Sequence, residues 1–471
     1  MEIEIIKNSG LTSKDFKSIK LVKIHGVNHY YLVLVNKGGR CKRCGLYVYK
    51  SKELRNKLII HDKDVIIHYK ARRFVCDCGC TFYETNPFTD EKSKLSKYLI
   101  KNILLDLKRY NHTFLEVAQK YKISVTKVIE VFDTHVQIPL KPLREVISID
   151  EFYFSRKSSS KYAFMILGLN GEILDILKSR KKHKLLDYFK YKPIGERDRV
   201  KYVTMDMNEV YKEVINRRLK NATICIDSFH VMSHINNALD IVRLKTLNSF
   251  SENKRSDEYY LLKHKKYVLF KNDLKEDLEY NRHFRLELND RDYLNIILKI
   301  DPVLTRAYYL MKHYYYFNHY WSDFTRQEAF EMIKDYIDEC YKSEIPSFIE
   351  VANTLNNRKE EIANSFIAYT NRKEEVIRLS NGKIEGKNSY IKKMIRLANG
   401  YSNFERFRNR AMYAENIFDT YSEEKLPNTI KRVYKKKVDW AFALSTLCFS
   451  YKVAKPYDYL KVIPSKNPTL I

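Results

Sequence analysis

The chain has 471 residues, too many for one ordinary hydrophobic core, so we expect several domains. Lysine and arginine number 86 against 58 aspartates and glutamates, which gives a formal net charge of +28. This surplus is spread along the chain and favours a polyanionic partner such as nucleic acid over a merely solvated basic surface. No apolar run approaches the roughly 18 residues of a membrane span, and the N-terminus lacks the pattern of a secretory signal.

Residues 1–35 alternate short apolar and polar runs, which is typical of strands or of a small helix–strand unit. The segment 36–90 carries five of the eight cysteines, a density that suggests metal binding rather than a disulfide scaffold. Within it, Arg72 and Arg73 form a basic edge. This edge either contacts phosphates or is a solvated face of a strand.

Cys41 and Cys44 flank a tight turn, as in a zinc knuckle, and Cys76, Cys78 and Cys80 offer two further ligands. Four thiolates suit a tetrahedral structural Zn²⁺. We favour Cys76 and Cys78, because a glycine follows Cys78 as one follows Cys44; Cys80 remains a rival. A set of reduced, buried cysteines is the alternative.

Residues 93–137 have helical periodicity, and the segment 114–129 resembles a helix-turn-helix. Ser124 is a natural N-cap for its second helix. That helix would turn Thr126 and Lys127 outward, toward a major groove of DNA. A plain helical hairpin is the alternative.

From residue 146 onward, short apolar runs alternate with helical patterns. We predict strands at 146–154, 161–169, 172–178, 200–206 and 222–227, and helices at 181–191, 208–219 and 229–243. Asp150 and Asp206 end two of these strands, where ligands bind in α/β sheets. Alternation along the strand sends Asp150 and Glu151 to opposite faces, so only one of them should enter a shared site.

Two further candidates follow the last predicted strand. Asp227 ends that strand and is placed to cap the next helix, and His230 would face the same cleft. Asp227 therefore competes with Asp206 for a metal position, and we prefer Asp206. The chain from 244 to 375 is predicted to be almost wholly helical.

Glu385 lies in a basic helix that begins after a glycine. Asn388 and Lys392 share its face, so the acid can bind metal while the amide and the ammonium reach a phosphate. A charged surface helix is the alternative. A basic surface is predicted to continue through the arginines beyond this face, namely Arg396, Arg406, Arg408 and Arg410. Asp150, Asp206 and Glu385 together can hold two Mg²⁺ ions for in-line phosphoryl transfer.

These motifs, in this order, resemble the ISL3-type insertion-sequence transposases, a branch of the DDE transposases. The resemblance rests on the cysteine knuckle, the helix-turn-helix, Asp-Glu-Phe, Met-Asp-Met, Asp-Ser-Phe-His and Ser-Asn-Gly-x-x-Glu-Gly-x-Asn. We therefore expect a multidomain α+β chain with a zinc-binding domain (1–92), a helix-turn-helix domain (93–140), a ribonuclease-H-like α/β catalytic domain (145–240 and 379–424), an all-helical insertion (241–378) and a basic C-terminal tail (425–471).

The resemblance implies that Asp150, Asp206 and Glu385 are the catalytic triad and that Asp227 and His230 match an Asp-x-x-His signature. It implies two Mg²⁺ ions, with Mn²⁺ as a substitute, beside the structural Zn²⁺. The expected partners are double-stranded DNA at the element ends and the target, and further copies of the chain in a homodimer or larger assembly. A bacterial cytoplasmic location at the nucleoid is expected. An inactive transposase-derived DNA-binding protein and a structure-selective nuclease are the alternatives.

Overall fold

The computed structural model describes residues 5, 9–90, 93–155, 160–371 and 373–416. It shows a mixed α/β protein with several sheets. The predicted basic tail at 425–471 lies outside the described residues. Within the described ranges, no helix has the length and apolar character needed to cross a membrane.

The N-terminal part is built on a long antiparallel hairpin, formed by the strands Ser51–Asp62 and Val65–Val75. Its strands are β1 Phe16–Ile24, β2 Val27–Leu34, β3 Gly39–Arg40, β4 Tyr47–Val48, β5 Ser51–Asp62, β6 Val65–Val75 and β7 Thr81–Tyr83. The sheet order is β1-β2-β6-β5 with β7 also on β6, and β3 pairs only with β4. The strands predicted before residue 35 are confirmed. The inner face of the N-terminal sheet buries Leu32 of β2 and Ile67 and Tyr69 of β6.

Three helices follow: α1 Lys97–Leu107, α2 Phe114–Lys120 and α3 Val125–His135. They enclose an apolar core that includes Leu99, Val128 and Phe132. As predicted, Ser124 is the N-cap of α3, and its hydroxyl accepts a hydrogen bond from the Lys127 amide at 3.2 Å. The two helices of the predicted helix-turn-helix are therefore present, at 114–120 and 125–135.

A central five-stranded sheet comes next. Its elements are β8 Val146–Tyr153, β9 Tyr162–Gly168, β10 Ile173–Leu177, α4 Lys182–Tyr191, α5 Ile194–Asp198, β11 Tyr202–Met205, α6 Glu209–Arg218 and β12 Thr223–Ile226. The order is β10-β9-β8-β11-β12, antiparallel on the β9 side of β8 and parallel on the β11 side. The strands and helices predicted here are confirmed, with the short α5 added.

The segment after β12 is mostly helical. It comprises α7 Ser228–Ser249, α8 Asp257–His264, α9 Tyr267–Phe270, β13 Glu279–Asn281, β14 Leu286–Leu288, α10 Asp290–Leu298, α11 Pro302–His319, α12 Arg326–Lys342, α13 Pro346–Asn356, α14 Lys359–Asn364, β15 Ala368–Thr370 and β16 Val376–Arg378. The expectation of an all-helical insertion is wrong at two short hairpins, β13–β14 and β15–β16. The expected boundary at 240 and 241 falls inside α7, whose Val231 and Ile235 belong to the same core as α11 and α12.

The last described helices are α15 Gly382–Leu397 and α16 Phe404–Glu415. Both pack on one face of the central sheet, where Phe152 and Ile176 meet Ile391 and Phe407. The opposite face of the sheet is covered by α4 and α6. The helix α15 therefore places Glu385 on the same face of the sheet as Asp150.

Candidate active site

Asp150 lies near the end of β8, and its carboxylate is held from two sides. Its Oδ1 accepts the Glu151 amide at 2.7 Å, and its Oδ2 accepts the Asn388 side-chain amide at 2.6 Å. Burial, with the negative charge of Asp206 as a further contribution, raises the pKa of Asp150 to about 6. A buried acid of this kind is stabilised in its ionised form by a cation.

Asp206 follows β11, the parallel neighbour of β8, so the two acids emerge at the same edge of the sheet. Its Oδ1 accepts the Asn208 amide at 3.2 Å. Burial raises its pKa, and His230 opposes that rise. Asp206 is partly buried, as is Asp150.

Asp227, His230 and Glu385 form a second group. One ligand atom from each lies within 4.8 Å of the others, and the Nε2 of His230 is 3.9 Å from the Oε1 of Glu385. Asp227 is 1% exposed, and within the described chain its Oδ2 has no hydrogen-bond partner. Burial, followed by the charge of Asp227, raises the pKa of Glu385. Of the predicted triad, the structure places only Glu385 in this group; Asp150 and Asp206 are outside it.

His230 connects the two groups electrostatically. Its charge opposes the burial-driven rise in the pKa of Asp150, Asp206 and Glu385 alike. His230 therefore lies within electrostatic range of all three predicted acids. Lys392 is exposed and also favours the charged form of Glu385.

The sequence analysis did not single out Asn381, which organises this region. It is fully buried, at 0% exposure. Its backbone amide donates to Asp227 Oδ1 at 2.8 Å, and its side-chain oxygen accepts the Thr204 hydroxyl at 2.6 Å. The Asn381 side chain makes no cap hydrogen bond to the helix that follows it, so the Asn-Gly pair at that position gave no signal of this role.

Glu151 is occupied by other partners. Arg180 and Tyr211 both hydrogen bond to its carboxylate. Asp150 instead contacts Asn388 of α15, on the other side of the sheet from Tyr211 of α6. This is the arrangement that alternation along β8 predicts.

The N-terminal cysteines form a separate cluster. The ligand sulfurs of Cys41, Cys44, Cys76 and Cys78 lie within 4.8 Å of one another, with 3.7 Å between Cys41 and Cys78 and 3.4 Å between Cys44 and Cys76. Cys80 is outside this group, and its sulfur lies 4.0 Å from the Thr81 carbonyl. Four converging thiols are a donor set that fits Zn²⁺.

The glycines that suggested this pairing do share a conformation. Gly45 and Gly79 have φ of 75° and 80°, and each amide donates back to the first cysteine of its own turn. Two similar turns thus present the cysteine pairs to each other.

The comparison with protein families concerns the central sheet and the helices that follow it. A family model described as Transposase, of the ISL3 group of DDE transposases, matches residues 147–411. The chain belongs to this transposase family. No curated protein matches the chain.

One predicted DNA contact of this transposase, Arg72, differs in the structure, whereas its neighbour Arg73 remains a prediction. Arg72 is buried at 6% exposure, pairs with Glu84 at 3.0 Å and donates to the Leu34 carbonyl, so its prediction as a phosphate contact is wrong. Arg73 is partly exposed and pairs with Glu53 at 3.1 Å.

The predicted basic surface also loses two arginines. Arg408 is buried against Asp175 at 2.7 Å, and Arg410 is buried with its guanidinium donating to the carbonyls of Arg109 and His112. Both hold α16 in place instead of facing solvent, which corrects their prediction. Arg396 is exposed.

The other predicted contacts lie at the surface. Thr126 is exposed on α3, and Lys127 pairs with Glu130 at 3.0 Å. Arg406 pairs with Asp133 at 2.7 Å and so joins α16 to α3. Ion pairs this exposed are weak, and a phosphate can replace the acid.

Proposed function

We propose that this transposase uses Asp150, Asp206 and Glu385 to cleave the ends of its element and join them to target DNA. The observation that carries the proposal is the 2.6 Å hydrogen bond from Asn388 to Asp150. This hydrogen bond connects α15, the helix that carries Glu385, to β8, the strand that carries Asp150. The burial-raised pKa values of all three acids add support, because a bound cation would stabilise their ionised forms.

The triad carboxylates are hard oxygen donors, which Mg²⁺ prefers and Mn²⁺ accepts. Two bound ions would supply an activated water or 3′-OH and charge for the departing oxygen. Asn388 orients Asp150 and leaves further lone pairs of its carboxylate free for coordination. His230 and Lys392 place positive charge near Glu385 and favour its ionised form.

We propose Asp206 for the second metal position. It follows β11, which pairs in parallel with β8, so Asp206 emerges beside Asp150 at the same edge of the sheet. Asp227 is buried and accepts the Asn381 amide, which suits an orienting role beside His230. The proximity of Asp227 to Glu385 makes it the competing ligand.

Cleavage of labelled element-end DNA with Mg²⁺ or Mn²⁺ tests the triad. Asp150→Asn, Asp206→Asn and Glu385→Gln should each abolish cleavage and leave end binding intact. Asp187→Asn, on the exposed side of α4, is the matched control and should cleave normally. Cleavage retained in a triad variant removes that residue from the site. Full cleavage by Asp206→Asn together with none by Asp227→Asn assigns the second position to Asp227.

Strand transfer separates the two alternatives. A structure-selective nuclease cuts labelled ends without joining them to target DNA. An inactive transposase-derived DNA-binding protein binds the ends and does neither. We expect both cutting and joining.

The wider organisation is also proposed. The strand order β10-β9-β8-β11-β12 supports a ribonuclease-H-like catalytic domain, with α7 shared between it and the insertion. The zinc cluster, the helices at 114–135 and the exposed arginines are proposed to bind double-stranded DNA. Joining two DNA ends favours a dimer or a larger assembly, and action on the chromosome favours the bacterial cytoplasm.

A further inference from the structure

A cleft of about 400 Å³ opens at the outer edge of the central sheet. The end of β10, the start of α4 and the start of α16 enclose it. Its floor is apolar and includes Ile176, Leu177 and Phe404. None of its lining residues belongs to the triad or to the cysteine cluster.

The rim of this cleft is strongly basic. Four exposed side chains line it: Lys178, Lys181, His183 and Lys184. They surround the first turn of the ten-residue helix α4, which has no side-chain N-cap, so its free backbone amides add positive potential. Glu405 is the one acid in the lining, since Asp175 lies behind Arg408.

The apolar floor and the basic rim together narrow the class of ligand that the cleft can bind. A bare phosphate needs no apolar floor, and an uncharged apolar molecule needs no basic rim. A nucleotide has an anionic part for the rim, a flat apolar face for Phe404 and a polar base edge for Glu405. The volume is at the small end of ligand pockets and suits one nucleotide rather than a duplex.

The rim continues toward the catalytic strand. Arg180, between rim residues Ser179 and Lys181, pairs with Glu151, which is next to Asp150 on β8. We propose that the cleft binds one unstacked nucleotide of a DNA strand, with its phosphate at the lysine rim and its base on the apolar floor. That this strand belongs to the DNA cut at the triad rests on the proposed function. Nucleotide binding in the cleft does not depend on it.

The charge of the rim is tested by equilibrium binding of a short fluorescein-labelled single-stranded oligonucleotide, followed by anisotropy over a range of NaCl concentrations without divalent cations. In Lys178→Gln/Lys184→Gln, the slope of log affinity against log salt should fall by about 0.7, the contribution of the one phosphate contact that the rim would lose. The control Lys254→Gln/Lys299→Gln removes two exposed lysines of the helical segment and should change the slope far less. Equal changes in both double variants overturn the proposal.

The base position is tested by filling the cleft. Ser179→Trp adds bulk at the rim without changing charge, and it should weaken single-strand binding about tenfold, the equivalent of one stacked base. The salt slope should stay as in the wild type. An oligonucleotide made only of abasic sites should bind wild type and Ser179→Trp equally. Unchanged affinity in a folded Ser179→Trp, judged by circular dichroism, overturns the base assignment.

Mg²⁺-dependent cleavage of element-end DNA, measured on the same preparations, separates the two ideas. If the cleft variants bind the oligonucleotide as the wild type does, and the wild type still cleaves DNA, the cleft proposal alone is overturned. Normal cleft effects in a protein that cleaves no DNA count against the triad proposal and support the cleft.

Discussion

Asp150 is stabilising for the metal-free protein only while it is protonated. Its pKa is raised from 3.8 to about 6, so the folded protein holds this proton more tightly than the unfolded chain does. The resulting contribution is complete below about pH 4 and is lost as the pH rises to about 6. Above that, the buried carboxylate costs up to roughly 3 kcal/mol until a cation binds.

The first prediction follows from this cost. Asp150→Asn should raise the melting temperature of the metal-free protein at pH 7.5 and leave it nearly unchanged at pH 4, because the amide carries no charge to bury. Mg²⁺ should stabilise the wild type but have little effect on the variant. Thermal unfolding with EDTA or with Mg²⁺ measures both effects. Asp187→Asn is the control, and a variant that melts below wild type at pH 7.5 contradicts the argument.

Asn388 provides the second prediction. Asn388→Ala removes the hydrogen bond that orients Asp150, and it should weaken Mn²⁺ binding and cleavage by about 10- to 100-fold. Ser389→Ala, the next and exposed residue of α15, should change neither. Calorimetric Mn²⁺ titration measures the affinity independently of DNA. Wild-type affinity in Asn388→Ala would show that Asp150 needs no such support.

Arg72 gives a third prediction, on stability. Arg72→Ala leaves the largely buried Glu84 without its partner and should lower the free energy of unfolding by about 3–5 kcal/mol. Arg73→Ala breaks a more exposed pair and should cost about 1 kcal/mol or less. Urea denaturation compares the two. A DNA-binding loss in a fully stable Arg72→Ala would restore the original phosphate assignment.

At the scale of elements, the two cysteine turns make the fourth prediction. The wild type should contain about one zinc ion per chain, and Cys41→Ser should lose it and unfold the turns around the site. Cys80→Ser should keep the zinc, because the Cys80 sulfur is outside the cluster. Elemental analysis of the purified proteins decides between Cys78 and Cys80, and zinc loss in Cys80→Ser would reverse the assignment.

Elements with a long regular pattern were predictable. The strands and helices of 146–227 follow from apolar runs bounded by polar turns, and Ser124 marks the start of α3 from its position alone. The hairpins β13–β14 and β15–β16 were missed because three-residue strands are too short to show a period of two. Arg408 and Arg410 were wrongly predicted to be exposed. Their buried partners, the Asp175 carboxylate and the Arg109 carbonyl, are distant in the sequence, so no local pattern indicates them.

At the scale of the molecule, the site depends on contacts between distant parts of the chain. The acids could be chosen by type and by strand-end position, and in the structure each lies within electrostatic range of His230. The role of Asn381 could not be predicted, because its partners Thr204 and Asp227 lie in other elements. Local patterns hold no information about such partners.

A fifth prediction concerns the integrity of the helical segment. The turn at residues 251–255 is exposed, while α7 before it and α11 and α12 after it share one apolar core. A protease site inserted between Lys254 and Arg255 should therefore yield two fragments that stay associated and still cleave DNA. Gel filtration after complete cutting tests this, and separated fragments would show that the core does not hold the two parts together.

The hydrogen bond between Asp227 and Asn381 has a consequence for how this chain can vary. The mostly helical segment begins after Asp227 and ends before Asn381, and this 2.8 Å hydrogen bond joins its two ends. The segment therefore leaves and rejoins the catalytic sheet at one place. Insertions or deletions between those two residues, natural or engineered, can then change the outlying helices without moving Glu385 relative to the sheet.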